Sequence, residues 1–254
     1  MLKYWIKLWS INENLFQETI KSIKSWFFDF IEFYVIPWKF DTDALKIFVE
    51  NNIKISIHAP HWAHWFNPID PNNNSEEIWK EIKQYIDFLN PFQIVIHPEV
   101  WTDVKVLEKK LQYFNDPRII IENMPNKSSL LANTEFYGYS LNQIKKIKKI
   151  IHWFCFDFAK AKSSAISQWI DIIGFYNDLL YEMNPDYFHI SWFLSNTEID
   201  EHFDLWEWDR YLIKWMKNKL FEIWEKKDIF IVFECKKKDW IENDLKNLEY
   251  FKTL

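Results

Sequence analysis

A chain of 254 residues with 48% apolar side chains and 27% charged ones can bury a large core, which excludes a disordered protein. The net charge of −6 argues against a general electrostatic attraction to nucleic acid or anionic membrane. MLKYWIKLWS at the start lacks a signal-peptide apolar stretch, and no apolar run in the sequence is long enough to span a bilayer, so the expectation is a soluble, cytoplasmic protein.

The alternation of elements starts with a short apolar strand at residues 4–8, and a second follows at 28–35. Further strands are expected at 53–58, 94–97, 119–122, 154–157, 187–190 and 229–234. Between them lie amphipathic stretches. Ile78, Ile82, Tyr85, Ile86 and Leu89 share one helical face, and Ser75 with Glu76 and Glu77 reads as that helix's start. Val104, Leu107, Leu111 and Phe114 form a second stripe. Leu141, Ile144, Ile147 and Ile151 form a third, opposite a run of lysines that reads as a solvated face. Cys155 and Cys235 lie in or beside strands and read as reduced thiols. There is no linker or composition break, and eight βα units in one domain over residues 1–254 point to a single (β/α)8 TIM barrel. A doubly wound sheet would want a glycine-rich phosphate loop, which the sequence lacks.

Glycine is nearly absent, at 2 residues, whereas tryptophan numbers 16. Average usage would give about 18 glycines in a chain of this length, and the two counts together reach that figure. Trp26 and Trp224 each follow a helical stretch where a left-handed residue is wanted. Trp101, Trp206 and Trp208 stand in loop contexts. The pattern implies that a UGA codon read as glycine in the cell has been translated here as tryptophan at many of these positions.

Active sites of such barrels form at the C-terminal ends of the strands. There the chain offers His58, His97, Glu122, Asp157, His189 and Glu234 on strands three to eight, with Asp200 and His202 in the loop after the seventh. So many carboxylates and imidazoles at one rim would be stranded without a cation. The donor set suits Zn²⁺, Mn²⁺ or Fe²⁺.

The segments ISIHAPH, IVIHP, IIIENMP, CFDFAKA, FHISW, DEHFDLWEWD and VFEC resemble, in order, the motif series of the xylose isomerase-like barrel superfamily. That group includes endonuclease IV and many sugar or sugar-phosphate isomerases and epimerases. With tryptophan read as glycine, DEHFDLWEWD becomes DEHFDLGEGD, close to the superfamily's D-x-H and G-E-G pattern. The resemblance implies that Glu122, Asp157, His189 and Glu234 form the metal site shared by isomerases and nuclease. It implies that His58, His97, Asp200 and His202 match additional ligands of the multi-zinc nuclease. Two departures from the nuclease stand out. Lys160 replaces a histidine three residues after Asp157, and His61 and Trp62 replace a duplex-invading Tyr-Leu pair.

The function implied is metal-dependent isomerisation or epimerisation of a small sugar or sugar phosphate, with one or two Zn²⁺ or Mn²⁺ ions. Glu122 and Glu234 would exchange protons, and Lys160 and His202 would orient the substrate. The alternatives are abasic-site DNA cleavage and a barrel that only binds ligand.

Overall fold

The computed structural model describes residues 2–61, 69, 75–100, 102–127, 135–191, 204–207, 210–234 and 241–254. Eight parallel strands close into a barrel in sequence order. They are β1 (Leu2–Trp9), β2 (Phe30–Tyr34), β3 (Ile55–His58), β4 (Ile94–Ile96), β5 (Ile119–Glu122), β6 (Phe154–Asp157), β7 (Tyr187–Ile190) and β8 (Ile229–Phe233). Closure comes from β1 pairing with β8, Tyr4 opposite Ile231 and Ile6 opposite Phe233. This is the single (β/α)8 barrel the strand spacing implied.

The helices are α1 (Glu13–Lys24), α2 (Thr42–Glu50), α3 (Ser75–Leu89), α4 (Val104–Phe114), α5 (Leu141–Ile147), α6 (Phe158–Ser167), α7 (Ile172–Met183), α8 (Arg210–Trp224) and α9 (Glu242–Thr253). Local chemistry sets several starts. Asp41, Asp103 and Asp171 cap α2, α4 and α7 by accepting first-turn backbone N–H groups, and Ser140 with Gln143 closes a capping box on α5. The lysine-bearing helix α5 stops at Ile147, short of the expected stripe, yet Ile151 still packs against the core from beyond its end. Among the described residues no helix is long and apolar enough to cross a membrane.

Helix ends carry a repeated signature. Trp26, Asn52, Asn90, Asn115, Trp169 and Asn184 follow α1, α2, α3, α4, α6 and α7, and all have positive φ. After α1 and α6 the hydrogen bonds are those of a Schellman motif. Phe27 N–H reaches Ser22 O at 3.1 Å, and Ile170 N–H reaches Ala165 O at 3.1 Å. Left-handed backbone suits glycine and tolerates asparagine, whereas a bulky side chain there is strained. Trp26 and Trp169 are nevertheless 86% and 92% exposed, with little packing to offset the strain. Trp38, in a turn, is the third tryptophan at positive φ. Trp224 departs from the expectation: it is the last residue of α8 and is not left-handed, because the helix runs through it instead of ending just before it. Trp206 lies in a short 3₁₀ turn, Leu205–Glu207, while Trp101 and Trp208 fall outside the described residues. Trp5 and Trp79 behave as packed core residues. Trp79 stacks on Phe114 at 4.0 Å between centroids.

The main core fills the space between barrel and helices. A second cluster lies inside the barrel: Trp5, Val95, Ile120, Cys155, Tyr187 and Val232, with Phe30, Phe92 and Phe230 against it. Trp5 sits 4.8 Å from Phe30, 4.9 Å from Phe92 and 5.7 Å from Phe230, centroid to centroid. The ammoniums of Lys3 and Lys54 lie over the Phe30 and Phe230 rings beyond it. An aromatic floor therefore closes the barrel at that end.

Candidate metal centre

The site follows from this floor by strand geometry. Side chains two residues apart on a strand share a face. Two positions beyond Trp5, Val95, Ile120, Cys155, Tyr187 and Val232 stand Lys7, His97, Glu122, Asp157, His189 and Glu234. All six point into the barrel above the floor and are buried or nearly so. His58 at the end of β3 joins them.

Glu122 is the hub. Its Oε2 lies 2.5 Å from His97 Nε2 and 3.3 Å from His58 Nε2, and its Oε1 lies 2.8 Å from His189 Nδ1 and 2.7 Å from Lys160 Nζ. Glu234 Oε1 approaches the same His189 Nδ1 at 3.1 Å. Lys160 Nζ also lies 3.4 Å from Asp157 Oδ2 and 3.2 Å from His97 Nε2. Asp157 does double duty, because its Oδ1 caps α6 by accepting from the Lys160 backbone N–H. Asn123 exchanges two hydrogen bonds with the Asp157 backbone, 2.8 and 2.9 Å, and so fixes the β5 end to the β6 end.

Two groups of ligand atoms stand out, each with all its atoms within 4.8 Å of one another. They are Glu122, Asp157, His189 and Glu234, and His58, His97 and Glu122. All six expected residues that the structure describes converge at one rim. Asp200 and His202 lie outside the described residues.

The sequence reading missed strands one and two. Lys7 on β1 contacts both Glu32 Oε1, at 3.0 Å, and Glu234. Glu32 on β2 is fully buried. Glu99, also buried, meets His97 Nδ1 at 3.1 Å. A signal was present, since a charged residue inside a strand buried on both faces, as in YWIKLW and DFIEFY, needs a partner.

Charge explains the titration. Burial disfavours ionisation of Glu122, yet Lys160, His189 and His97 hold its carboxyl well below the usual range. Against the same burial, His189, Lys7 and Lys160 keep Glu234 low. For Glu32, His189 and Lys7 overcome burial to leave a value of about 2. Burial would lower His189, but contact with the Cys155 sulfur and with the carboxylates of Glu234, Glu32 and Glu122 raises it well above an ordinary imidazole. His58 goes the other way, to about 4, through burial and the nearby Lys7 ammonium. Cys155 is a free thiol pushed far up by burial.

Among the described residues, five buried carboxylates at the centre, Glu32, Glu99, Glu122, Asp157 and Glu234, outnumber the two ammoniums, Lys7 and Lys160. A buried centre with that deficit and this oxygen and imidazole donor set fits a divalent cation. The same carboxylates raise the pKa values of His189 and His97 against their burial.

No family model and no curated protein matches the sequence. Solved structures do match. Endonuclease IV from Thermus thermophilus superposes with a TM-score of 0.70 at 14% identity, covering 99% of this chain and 98% of that one. The 3-keto-D-glucoside 4-epimerase of E. coli gives 0.64 at 12% identity, with both chains covered in full. An AP endonuclease, family 2, from Brucella melitensis gives 0.61 at 14%, covering 100% of this chain and 99% of that one. The chain shares its barrel fold with these nuclease and epimerase structures. Nuclease and epimerase share it, so the likeness leaves the reaction to be argued from the residues.

Proposed function

We propose that this chain is a divalent-metal-dependent isomerase or epimerase of a small sugar or sugar phosphate, using one or two Zn²⁺ or Mn²⁺ ions. The observation that carries this reading is Lys160. Its ammonium sits against Glu122, Asp157 and His97, and it stands three residues after Asp157, where the motif resemblance implies a histidine in the nuclease. A protonated amine cannot ligate, and it supplies positive charge that a further ion would otherwise bring.

Glu122, Asp157, His189 and Glu234 would hold the ion, which would polarise a carbonyl and its neighbouring hydroxyl. Glu122 and Glu234 both carry a carboxylate oxygen to the centre, within 3.1 Å of His189 Nδ1. One would accept the proton α to the carbonyl, and the other would return a proton either to the opposite face of the same carbon, giving an epimer, or to the former carbonyl carbon while a proton passes between the two oxygens, giving an isomer. Lys160, and His202 from outside the described residues, would orient a hydroxyl or phosphate.

One observation favours a second reading, cleavage of DNA at abasic sites. His58 and His97 with Glu122 form a further potential metal group, and such a group suits a polynuclear phosphodiesterase. Two assays on the metal-loaded protein separate the readings: interconversion of ketoses and their C3 or C4 epimers, followed by NMR, and cleavage of a duplex carrying one abasic site. Sugar turnover abolished by Glu122→Gln supports the first reading. Duplex cleavage abolished by the same substitution overturns it. Metal binding with neither activity points to a ligand-binding barrel.

We also infer that Trp26, Trp38 and Trp169 stand for glycine in the native protein, through a UGA codon read as glycine. Three tryptophans at positive φ support this, two of them in Schellman motifs. Intact mass of natively expressed protein tests it, and a mass requiring sixteen tryptophans ends the idea.

A further inference from the structure

Glu32 is a fully buried carboxylate of the centre. It lies on β2 in register with Lys7 on β1 and Ser56 on β3, and its side chain has no solvent exposure. Its Oε2 accepts from the Tyr187 hydroxyl at 2.5 Å and lies 3.0 Å from His189 Nε2. Its Oε1 is 3.0 Å from Lys7 Nζ. The Tyr187 hydroxyl is itself 2.8 Å from Ser56 Oγ. Groups from β1 and, across the barrel, β7 therefore hold this carboxylate: Lys7 pairs with Oε1, and Tyr187 and His189 meet Oε2.

His189 is placed between Glu32 and the rim. Nε2 faces Glu32, while Nδ1 faces Glu122 at 2.8 Å and Glu234 at 3.1 Å. With a cation bound by Glu122 and Glu234, only one ring nitrogen can keep a proton, because the other must present its lone pair. A carboxylate in contact with Nε2 retains the proton there.

We propose that Glu32 is a positioning residue of the metal centre, holding the Nε2 proton of His189 so that the Nδ1 lone pair faces the ion. This rests on the reading that the rim binds a divalent cation. The other role open to Glu32 is direct ligation, since its oxygen, with atoms of His58, His189 and Glu234, forms a compact group. Lys7 argues against that role. Its ammonium contacts both Glu32 and Glu234 and so occupies the cation position between them. A carboxylate that sets the tautomer and orientation of a metal-binding histidine typically changes metal affinity about 10–100-fold when altered.

The test uses the full chain loaded with Zn²⁺ and labelled with ¹⁵N-histidine. Long-range ¹H–¹⁵N NMR should find His189 protonated at Nε2 with zinc on Nδ1. Folded Glu32→Gln should bind Zn²⁺ about 10–100-fold more weakly in chelator competition. Tyr187→Phe, which removes one bond to Glu32 and leaves His189 untouched, should weaken binding less. Zinc on Nε2 of His189, or wild-type affinity in folded Glu32→Gln, overturns the role of Glu32 while leaving the metal reading intact. A wild-type chain that binds no zinc removes both. Should Glu32→Gln fail to fold, the wild-type tautomer still decides the matter.

Discussion

Lys160 Nζ lies 2.7 Å from Glu122 Oε1 with both side chains buried, so one cation of the centre is part of the chain itself. Replacing it by histidine removes a fixed positive charge and adds a ligand beside Glu122, Asp157 and His97. We expect Lys160→His to bind one more Zn²⁺ per chain than wild type, measured by elemental analysis after gel filtration. Lys160→Met instead leaves the carboxylates under-compensated. Breaking a buried pair costs about 3–5 kcal/mol, and we expect a loss of that order in the metal-free protein, read by denaturant titration. An unchanged stoichiometry in Lys160→His would refute the assignment of Lys160 to a cation position.

Acid should unfold the metal-free protein. Against their burial, the carboxyls of Glu32, Glu122 and Glu234 are all held below their usual value by His189, together with Lys7 at Glu32, Lys160 at Glu122 and both lysines at Glu234. A depressed folded-state pKa gives stability that is complete above the unfolded value, about 4.3 for glutamate, and that is lost as pH falls toward the folded value. For Glu32 that value is about 2. Circular dichroism should thus follow a loss of structure between those limits, and Glu32→Gln should show a shallower dependence.

Metal uptake should depend on pH in the opposite range. The His189 pKa is raised well above the imidazole norm because contact with the Cys155 sulfur and the carboxylates of Glu234, Glu32 and Glu122 outweighs its burial. Below that raised pKa the ion must displace a proton from the ring. Apparent Zn²⁺ affinity should therefore rise up to about tenfold per pH unit per displaced proton, through and beyond about pH 6.5. Proton release in weakly buffered calorimetry checks this. Uptake insensitive to pH between about 6 and 8 would mean that His189 is not a ligand.

Exchanging the left-handed tryptophans should stabilise the fold. Left-handed backbone costs a residue with a Cβ about 1–2 kcal/mol, partly offset by the greater unfolded-state freedom of glycine. Trp26→Gly and Trp169→Gly should each add about 1 kcal/mol, and Trp79→Gly, in the core, should lose at least about 3 kcal/mol. Thermal melts of the three variants compare them directly. Destabilisation by Trp169→Gly would count against glycine as the native residue there.

The barrel and most of its centre were legible because short strands buried on both faces repeat at even spacing, and because His58, His97, Glu122, Asp157, His189 and Glu234 close those strands. Strand ends are conspicuous for that reason. Lys7 and Glu32 were hidden by being interior to β1 and β2, where only their charge betrayed them. The left-handed positions were legible in number but only in part by location. Trp26 fits the reading of the pattern, Trp224 does not, and Trp38 and Trp169 emerge from the backbone. Helix length sets where a terminus falls, and local propensity does not fix it to the residue.

The stack of Trp5, Phe30, Phe92 and Phe230 plugs the barrel on one side of the centre. Nothing can pass straight through, so whatever meets Glu122 has to arrive and depart on the opposite side.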